Sequence, residues 1–223
     1  MNIAFIPVRG GSKSIPLKNI KEISGKPLVY WTAKATNDAK CIDKVVIATD
    51  SIEIKNVVKD FNFDKVEIYD RKPENAQDTS STESVMLEYI EQSELKPTDK
   101  FFLIQATSPM LESKHIDEMY EKFIKEKADS AFSCVLTKRF FWTKDGSSVN
   151  YDYKNRPRRQ DFEGYMLENG ACYINSVENI LREKNRICGK MCLYEMPEYT
   201  SYEIDEPDDF IIIEQLMKKH ILK

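Results

Sequence analysis

The features that mark membrane, secreted and zinc-binding proteins are scarce in this sequence. No apolar run approaches the roughly 18 residues that a membrane-spanning helix requires, so we expect no membrane partner. The N-terminus lacks the pattern of a signal peptide. Among five scattered cysteines, only Cys188 and Cys192 lie close together, with no second pair or nearby histidine to complete a zinc site. We interpret the cysteines as reduced thiols of a cytoplasmic protein.

Positive charge and histidine are also limited. The formal net charge is −4, which argues against nucleic acid as a partner, because non-specific binding to it depends on clustered positive charge. Because the sequence contains only two histidines, it argues against a histidine-based nucleophilic triad. No internal repeat or low-complexity tract divides the chain, and its 223 residues fit one domain. We therefore expect a single domain over residues 1–223.

The most informative stretch runs from Phe5 to Asn19, where a short apolar segment ends in a loop rich in glycine and positive charge. Glycines let backbone N–H groups turn toward a ligand, and cationic side chains add full charges around the same space. Such a loop at the carboxyl end of an early strand suits a polyphosphate, although a solvated basic loop has the same composition. Its cationic side chains are Arg9, Lys13 and Lys18.

Two familiar phosphate loops are excluded by spacing. A Walker A loop would place glycines at the positions of Pro7 and Ser12, before Lys13. A dinucleotide fingerprint would separate its first two glycines by one residue, whereas Gly10 and Gly11 are adjacent. The loop therefore belongs to another type, in which side chains supply much of the charge.

Strand-like and helical segments alternate along most of the chain. This alternation predicts an α/β fold with a mostly parallel sheet covered by helices on both faces. Such sheets bind ligands beyond the carboxyl ends of their strands. A capping box is predicted at Ser80-x-x-Glu83, before a helix. The predicted strands include 44–49, 66–69, 100–105, 131–136, 171–175 and 191–195. The predicted helices include one that Lys26-Pro27-Leu28 opens and that runs to about Lys40, then 52–61, 113–127 and one that begins at Asp205 or Glu206.

The alternation stops between Phe140 and Glu168, in a segment rich in aromatic residues and arginine. This composition is too aromatic for a disordered linker. Because interfaces favour aromatic residues and arginine, 140–168 is a candidate dimerisation extension. The alternative is an aromatic flap that packs on its own domain.

Six segments, in order, resemble those of the acylneuraminate cytidylyltransferases, the CMP-sialic acid synthetases. They are Pro-Val-Arg-Gly-Gly-Ser-Lys-Ser-Ile-Pro-Leu-Lys-Asn at 7–19, Ile-Ala-Thr-Asp at 47–50, Ile-Gln-Ala-Thr-Ser-Pro at 104–109, Arg-Arg-Gln-Asp at 158–161, Glu-Asn-Gly-Ala-Cys-Tyr-Ile at 168–174 and Glu-Ile-Asp-Glu-Pro-Asp-Asp-Phe at 203–210. The resemblance implies a three-layer, Rossmann-like nucleotidyltransferase fold and a homodimer. It also implies a reaction in which the C2 hydroxyl of a nonulosonic, sialic-acid-like sugar acid attacks the α-phosphorus of CTP and releases pyrophosphate.

The resemblance also assigns residues to roles. Arg9, Lys18 and Asp205 take catalytic roles in this comparison. The nucleotide side comprises Arg9, Gly10, Ser12, Lys13, Lys18, Asn19, Arg71, Asp78, Thr79 and Ser80. The substrate side comprises Gln105, Thr107, Ser108, Arg159, Asn169 and Tyr173.

Asp205 and Glu203 resemble the family's metal-binding pair, and Mg²⁺ is the implied cofactor. Residues two apart on an extended segment face the same way, and Mg²⁺ prefers carboxylate, phosphate and water oxygens. Acidic residues before a helix are also ordinary N-terminal caps, so capping is the alternative interpretation. Relatives have aspartate where this chain has Glu203.

Sugar-side positions depart further from the family pattern. Leu111 and Leu167 stand where relatives often have arginine, and Trp142 lies near a position that is lysine in some of them. Legionaminic, pseudaminic or related acids are therefore candidate substrates beside sialic acid. Two alternatives stay open: a nucleotidyltransferase for another sugar, such as a Kdo-like acid or a sugar phosphate, and a non-catalytic nucleotide-binding relative.

Overall fold

The computed structural model describes residues 1–11, 14–77 and 79–222. Strands and helices alternate over these ranges, as predicted. The strands are β1 (Asn2–Pro7), β2 (Glu22–Ile23), β3 (Lys26–Pro27), β4 (Lys44–Thr49), β5 (Val66–Asp70), β6 (Lys100–Ile104), β7 (Ser130–Thr137), β8 (Tyr165–Ser176) and β9 (Met191–Met196). The α-helices are α1 (Leu28–Asp38), α2 (Ile52–Lys59), α3 (Thr82–Gln92), α4 (Ser113–Glu126), α5 (Val177–Glu183) and α6 (Pro207–His220). Short 3₁₀ turns lie at Lys18–Ile20, Pro73–Asn75, Tyr153–Asn155 and Glu198–Ser201.

Seven strands of the described ranges form one sheet in the order β5-β4-β1-β6-β8-β7-β9. Paired strands in this sheet are parallel, except that β8 runs antiparallel to β6 and β7. Strand β1 lies near the middle because Ile3 to Ile6 are apolar on both faces and fully buried. The mostly parallel sheet confirms the predicted α/β class.

Helices cover both faces of this sheet. One face packs against α1, α2 and α4, and the opposite face packs against α3 and α5. The result is the three-layer arrangement that the resemblance implies. Helix α6 packs in a separate cluster, where Phe210 and Ile213 meet Ile15 and Leu28. The last helix therefore lies beside the loop that follows β1.

The start of α3 corrects the predicted capping box. The side chain of Ser81, not Ser80, caps the helix by accepting a hydrogen bond from the backbone N–H of Ser84. The Ser80 hydroxyl is already used by the preceding turn, where it donates to the carbonyl of Glu74 and accepts from the N–H of Gln77. The helix consequently begins one residue later than expected.

At the start of α6, residues other than Asp205 supply the side chains that cap the helix. The carboxylate of Asp209 accepts from the backbone N–H groups of Asp205 and Glu206, at 2.9 and 2.7 Å. Glu206, in an extended conformation, is the N-cap residue, and Pro207 occupies the first turn. Since Glu206 and Asp209 form the capping box, the carboxylate of Asp205 is not needed as the cap.

The segment before β8 forms an aromatic cluster of its own. Phe140 stacks near Tyr151 and Phe162, with ring centroids 4.3 and 5.1 Å apart, and the guanidinium of Arg156 lies 4.7 Å from the centre of the Phe140 ring. Other aromatic residues of the segment remain largely exposed, among them Trp142 and Tyr153. Strand β8 begins at Tyr165, inside the predicted extension, and α5 follows where no helix was predicted.

None of the helices in the described ranges combines the length and apolar character needed to cross a membrane.

Candidate active site

A cavity of about 280 Å³ opens where loops leave the carboxyl ends of β1, β5 and β6. The loop after β1, the 3₁₀ turn beyond it, the loop after β5, the start of α3 and the loop after β6 all contribute to its walls. The cavity is lined by Pro7, Arg9, Lys18, Asn19, Arg71, Ser80, Ser81, Thr82, Val85, Gln105, Ala106 and Thr107. Predicted nucleotide-side and sugar-side residues thus meet in one place.

The loop after β1 is held against the end of β4. The backbone N–H of Gly10 donates to Asp50 Oδ1 at 3.0 Å. A side chain at Gly10 would collide with Ser51, because a Cβ atom there would lie 2.8 Å from the Ser51 Cβ. The Asn19 amide donates to the carbonyl of Arg9 at 3.1 Å, and Arg9 Nη1 donates to the carbonyl of Gln77 at 3.2 Å. Ser12 and Lys13 lie outside the described residues.

Lys18 joins the same loop to the segment before α6. Its ammonium group donates to the carbonyl of Ile204 at 2.8 Å and to Asp205 Oδ1 at 3.2 Å. The Lys18 side chain is 13% exposed, whereas that of Asp205 is 72% exposed. The Ser14 hydroxyl adds a hydrogen bond to the carbonyl of Asp205 at 2.7 Å. One cation and one carboxylate are therefore fixed together at the edge of the cavity.

Arg71 contributes another cation to the wall of the cavity. Its Nη2 donates to the carbonyl of Asn75, while its buried Nε has no hydrogen-bond partner among the described residues. Burial lowers the pKa of Arg71, and the negative charges of Asp50 and Glu88 oppose that shift. Leaving a buried donor without a partner costs free energy of folding. Among its predicted companions, Ser80 lines the cavity, Thr79 is exposed and Asp78 lies outside the described residues.

The loop after β6 supplies another wall of the cavity, which carries predicted sugar-side residues. Gln105 and Thr107 line the cavity, and the carbonyl of Thr107 accepts from the N–H of Ile204 at 2.9 Å. Ser108 is buried behind them, with a hydroxyl that has no hydrogen-bond partner among the described residues. Gln105 and Thr107 therefore reach the cavity, whereas Ser108 supports the turn.

Asn169 is built into an irregularity between β7 and β8, whose register shifts between Phe132 and Cys134. The Ser133 hydroxyl donates to Asn169 Oδ1 at 2.6 Å and accepts from the N–H of Cys172 at 2.9 Å. The Asn169 amide donates to the carbonyl and hydroxyl oxygens of Thr200. Since Asn169 is 1% exposed and bonded on both sides, it braces the segment leading to Glu203 rather than lining the cavity.

Tyr173 and Arg159 also lie apart from the cavity walls. Tyr173 is buried, its hydroxyl donates to Glu168, and its ring lies 5.1 Å from the guanidinium of Arg186. Arg159 is 68% exposed, and its Nη2 lies 3.5 Å from Glu198. A second cavity of about 590 Å³ at the base of the 140–164 segment is lined by Lys138, Arg139, Phe140, Arg156, Pro157, Arg158 and Arg159.

The carboxylates of Glu203 and Asp205 form the candidate metal centre. Burial raises the pKa of Glu203 to about 7, the negative charge of Asp205 adds to this shift, and Lys18 opposes it. Within the described residues no group of three or more His, Cys, Asp or Glu side chains could hold a metal ion. Two adjacent carboxylates nevertheless suit Mg²⁺ at a nucleotide site, where phosphate oxygens and water complete the ligand set. The residues present therefore fit that ion.

Sequence reasoning missed Asp50 and Glu88, which shape the cavity without lining it. Asp50 had a usable signal, because it directly follows a buried strand in Ile-Ala-Thr-Asp. Glu88 lies within the helix α3 and carries no comparable signal.

The chain matches a family model and several curated proteins along most of its length. The cytidylyltransferase family model matches residues 3–223. An N-acylneuraminate cytidylyltransferase from Oncorhynchus mykiss is 41% identical over 221 residues, which are 95% of this chain and 49% of that protein. A pseudaminic acid cytidylyltransferase from Campylobacter jejuni is 27% identical, over 97% of this chain and 96% of that protein. The chain spans about half the length of the first of these relatives.

Solved structures share the fold at low identity. A CMP:2-keto-3-deoxy-manno-octonic acid synthetase complexed with CTP matches with a TM-score of 0.70 and 16% identity, covering 99% of each chain. A 4-diphosphocytidyl-2C-methyl-D-erythritol synthase matches with a TM-score of 0.72 and 15% identity, covering 97% of each chain.

Proposed function

Because the chain belongs to the cytidylyltransferase family, we propose that it transfers CMP from CTP to a nonulosonic acid and releases pyrophosphate. The C2 hydroxyl of the sugar acid attacks the α-phosphorus of CTP in this reaction. The curated relatives named for N-acylneuraminate and pseudaminic acid support this substrate class.

The observation that carries the proposal is the cationic cavity beyond the carboxyl ends of the strands. Arg9, Lys18 and Arg71 line it together, and guanidinium and ammonium groups bind phosphate oxygens through charge-assisted hydrogen bonds. Phosphoryl transfer needs mainly positioning and charge stabilisation, which fixed cations supply. Arg9 and Lys18 are therefore assigned to the α-, β- and γ-phosphates as catalytic residues.

The nucleotide side retains its full predicted set in this proposal. Arg9 and Lys18 bind the phosphates, and Gly10 and Asn19 hold the loop in the shape that binding requires. The remaining members of the set are Ser12, Lys13, Arg71, Asp78, Thr79 and Ser80.

The sugar side has two kinds of residue. Gln105 and Thr107 contact the sugar acid directly, since both line the cavity. Ser108, Asn169 and Tyr173 act from behind it by supporting the loop after β6 and strand β8.

Arg159 is assigned to the sugar carboxylate of a second copy, because it lies away from its own cavity. We propose a homodimer in which residues 140–168 reach that copy, and the exposed rings of Trp142 and Tyr153 support an interface role. A dimer mass by light scattering at micromolar concentration is the expected result, and a monomer mass would contradict it.

Mg²⁺ is the proposed cofactor, held by Asp205 and Glu203. When bound, it would neutralise charge on the phosphates of CTP and of the departing pyrophosphate. Lys18 orients Asp205 through the 3.2 Å contact and adds its own positive charge beside the phosphates. The single domain over 1–223 and the cytoplasmic location remain predictions from the sequence.

The test is pyrophosphate release by the purified chain with CTP, Mg²⁺ and a panel of sugar acids that includes N-acetylneuraminic, legionaminic, pseudaminic and Kdo-like acids. We expect release with CTP and at least one nonulosonic acid, and little release when ATP or GTP replaces CTP. Equal release with ATP and the same sugar acid would contradict the CTP assignment.

A further inference from the structure

Glu88, in the middle of α3, is a buried carboxylate with three hydrogen-bond donors around it. Tyr69 donates from its hydroxyl at 2.8 Å, Lys72 from its backbone N–H at 2.9 Å and Asn75 from its side-chain amide at 2.5 Å. Glu88 is 5% exposed, which is rare for a glutamate. A charge buried this deeply persists only where specific partners compensate the lost hydration.

These bonds fasten the loop that follows β5. Lys72 and Asn75 belong to that loop, and Tyr69 belongs to the strand that leads into it. Burial favours the neutral form of Glu88, yet the bonds from Asn75, Lys72 and Tyr69 lower its pKa overall. The loop is therefore tied to α3 by hydrogen bonds to an ionised carboxylate.

The same loop holds Arg71 in place. The guanidinium of Arg71 donates to the backbone carbonyl of Asn75, and the side chain of Asn75 donates to Glu88. The negative charge of Glu88 also favours the charged form of Arg71, against the burial that disfavours it. Glu88 thus acts on Arg71 by fixing the carbonyl that accepts from the guanidinium.

We propose that Glu88 is a positioning residue that sets the orientation of Arg71 for binding the phosphates of CTP. This inference rests on the proposed function. It predicts a defect that is specific to the nucleotide and that passes through Arg71. If Glu88 had a purely structural role, its substitution would instead lower the free energy of unfolding and weaken the binding of both substrates alike.

The main variant is Glu88→Gln, which keeps the size of the side chain but removes the charge and one of the acceptors. Its matched control is Glu91→Gln, the same change on an exposed glutamate one turn along α3. Binding of CTP is measured by titration calorimetry, and KM is measured separately for CTP and for the sugar acid. We expect Glu88→Gln to weaken CTP binding roughly tenfold, the loss typical of one charge-assisted hydrogen bond, with KM for the sugar acid changed less than about twofold.

A double-mutant cycle tests the route through Arg71. In an Arg71→Ala background, adding Glu88→Gln is expected to change CTP affinity by less than about twofold, because the residue it positions is already gone. If Glu88→Gln does not fold, Asn75→Ala replaces it, since this variant removes the link to Glu88 but keeps the carbonyl that accepts from Arg71. The same nucleotide-specific loss is expected.

Four results would overturn the inference. They are a wild-type CTP affinity in Glu88→Gln, an equal loss in Glu91→Gln, a full additional loss in the Arg71→Ala background, and a rise in KM for the sugar acid equal to the loss for CTP. A wild-type protein that bound no CTP would instead overturn the proposed function, and this inference with it. The two failures are therefore distinguishable.

Discussion

Replacing Gly170 by alanine tests the proposed metal centre, because the substitution should disturb the position of Glu203 while lowering the stability of the fold only slightly. Gly170 has a φ of +68°, which costs an alanine roughly 1–2 kcal/mol. A Cβ atom at this position would also lie 2.8 Å from Glu203 Oε1. Because carbon contacts are optimal near about 3.5 Å or more, the carboxylate has to retreat by about 0.7 Å.

This displacement of the Glu203 carboxylate should cost little folding free energy but should strongly reduce activity. Glu203 Oε1 is the far end of a flexible side chain, so the free energy of unfolding should fall only by the backbone cost, about 1–2 kcal/mol. Misplacement by about 1 Å can reduce turnover on the order of a hundredfold, so we expect at least a tenfold loss for the smaller shift. The Mg²⁺ concentration needed for half-maximal activity should rise as well.

The matched control is Gly25→Ala, in the turn between β2 and β3. Gly25 has a φ of +76°, and a Cβ atom there would meet no other atom within 4 Å. Urea denaturation should therefore report a similar loss of stability for both variants, while pyrophosphate release should fall only in Gly170→Ala. Normal turnover and a normal Mg²⁺ titration in Gly170→Ala would refute the assignment of Glu203 to the metal centre.

Three further predictions concern single side chains. Arg9→Ala should remove about 3 kcal/mol of transition-state stabilisation and so lower turnover, without lowering the melting temperature. A fall in turnover of less than about tenfold would count against the assignment. Asp205→Asn should abolish Mg²⁺-dependent turnover in pyrophosphate assays yet leave CTP binding largely intact, because Glu206 and Asp209 still cap α6; an unchanged Mg²⁺ titration would remove Asp205 from the metal centre. Burial lowers the pKa of His115, so the folded protein disfavours protonation of this residue and should lose stability as the pH falls below about 6.5. This loss should be smaller in His115→Gln. Parallel pH profiles of the free energy of unfolding for the wild type and the variant would contradict the prediction.

Strands and ligand-facing loops were predictable because burial leaves a pattern in the sequence. A strand covered on both faces reads as an unbroken apolar run, as from Ile3 to Ile6. The carboxyl ends of parallel strands meet at one edge of the sheet, and Arg9 and Gln105, which follow β1 and β6, both line the cavity there. Periodicity and sheet geometry therefore account for the location of the candidate site.

Partnerships between distant polar groups were not predictable in this way. Glu88 bonds to residues 13 to 19 positions earlier, and no periodic pattern connects such positions. Asn169 has a bracing role that depends on the register shift between β7 and β8. Ser80 could not be distinguished from Ser81 as the cap, because the competing hydrogen bond to Glu74 exists only in the folded turn.

The central claim, transfer of CMP to a sugar acid, is tested most directly by following two labels of the same nucleotide. The chain is incubated with Mg²⁺, a nonulosonic acid and CTP labelled at either the α- or the γ-phosphorus, and the products are separated. We predict the α label in the sugar product and the γ label in pyrophosphate, in equal amounts. Appearance of the γ label in the sugar product, or release of pyrophosphate with no α label on the sugar, would contradict the proposed reaction.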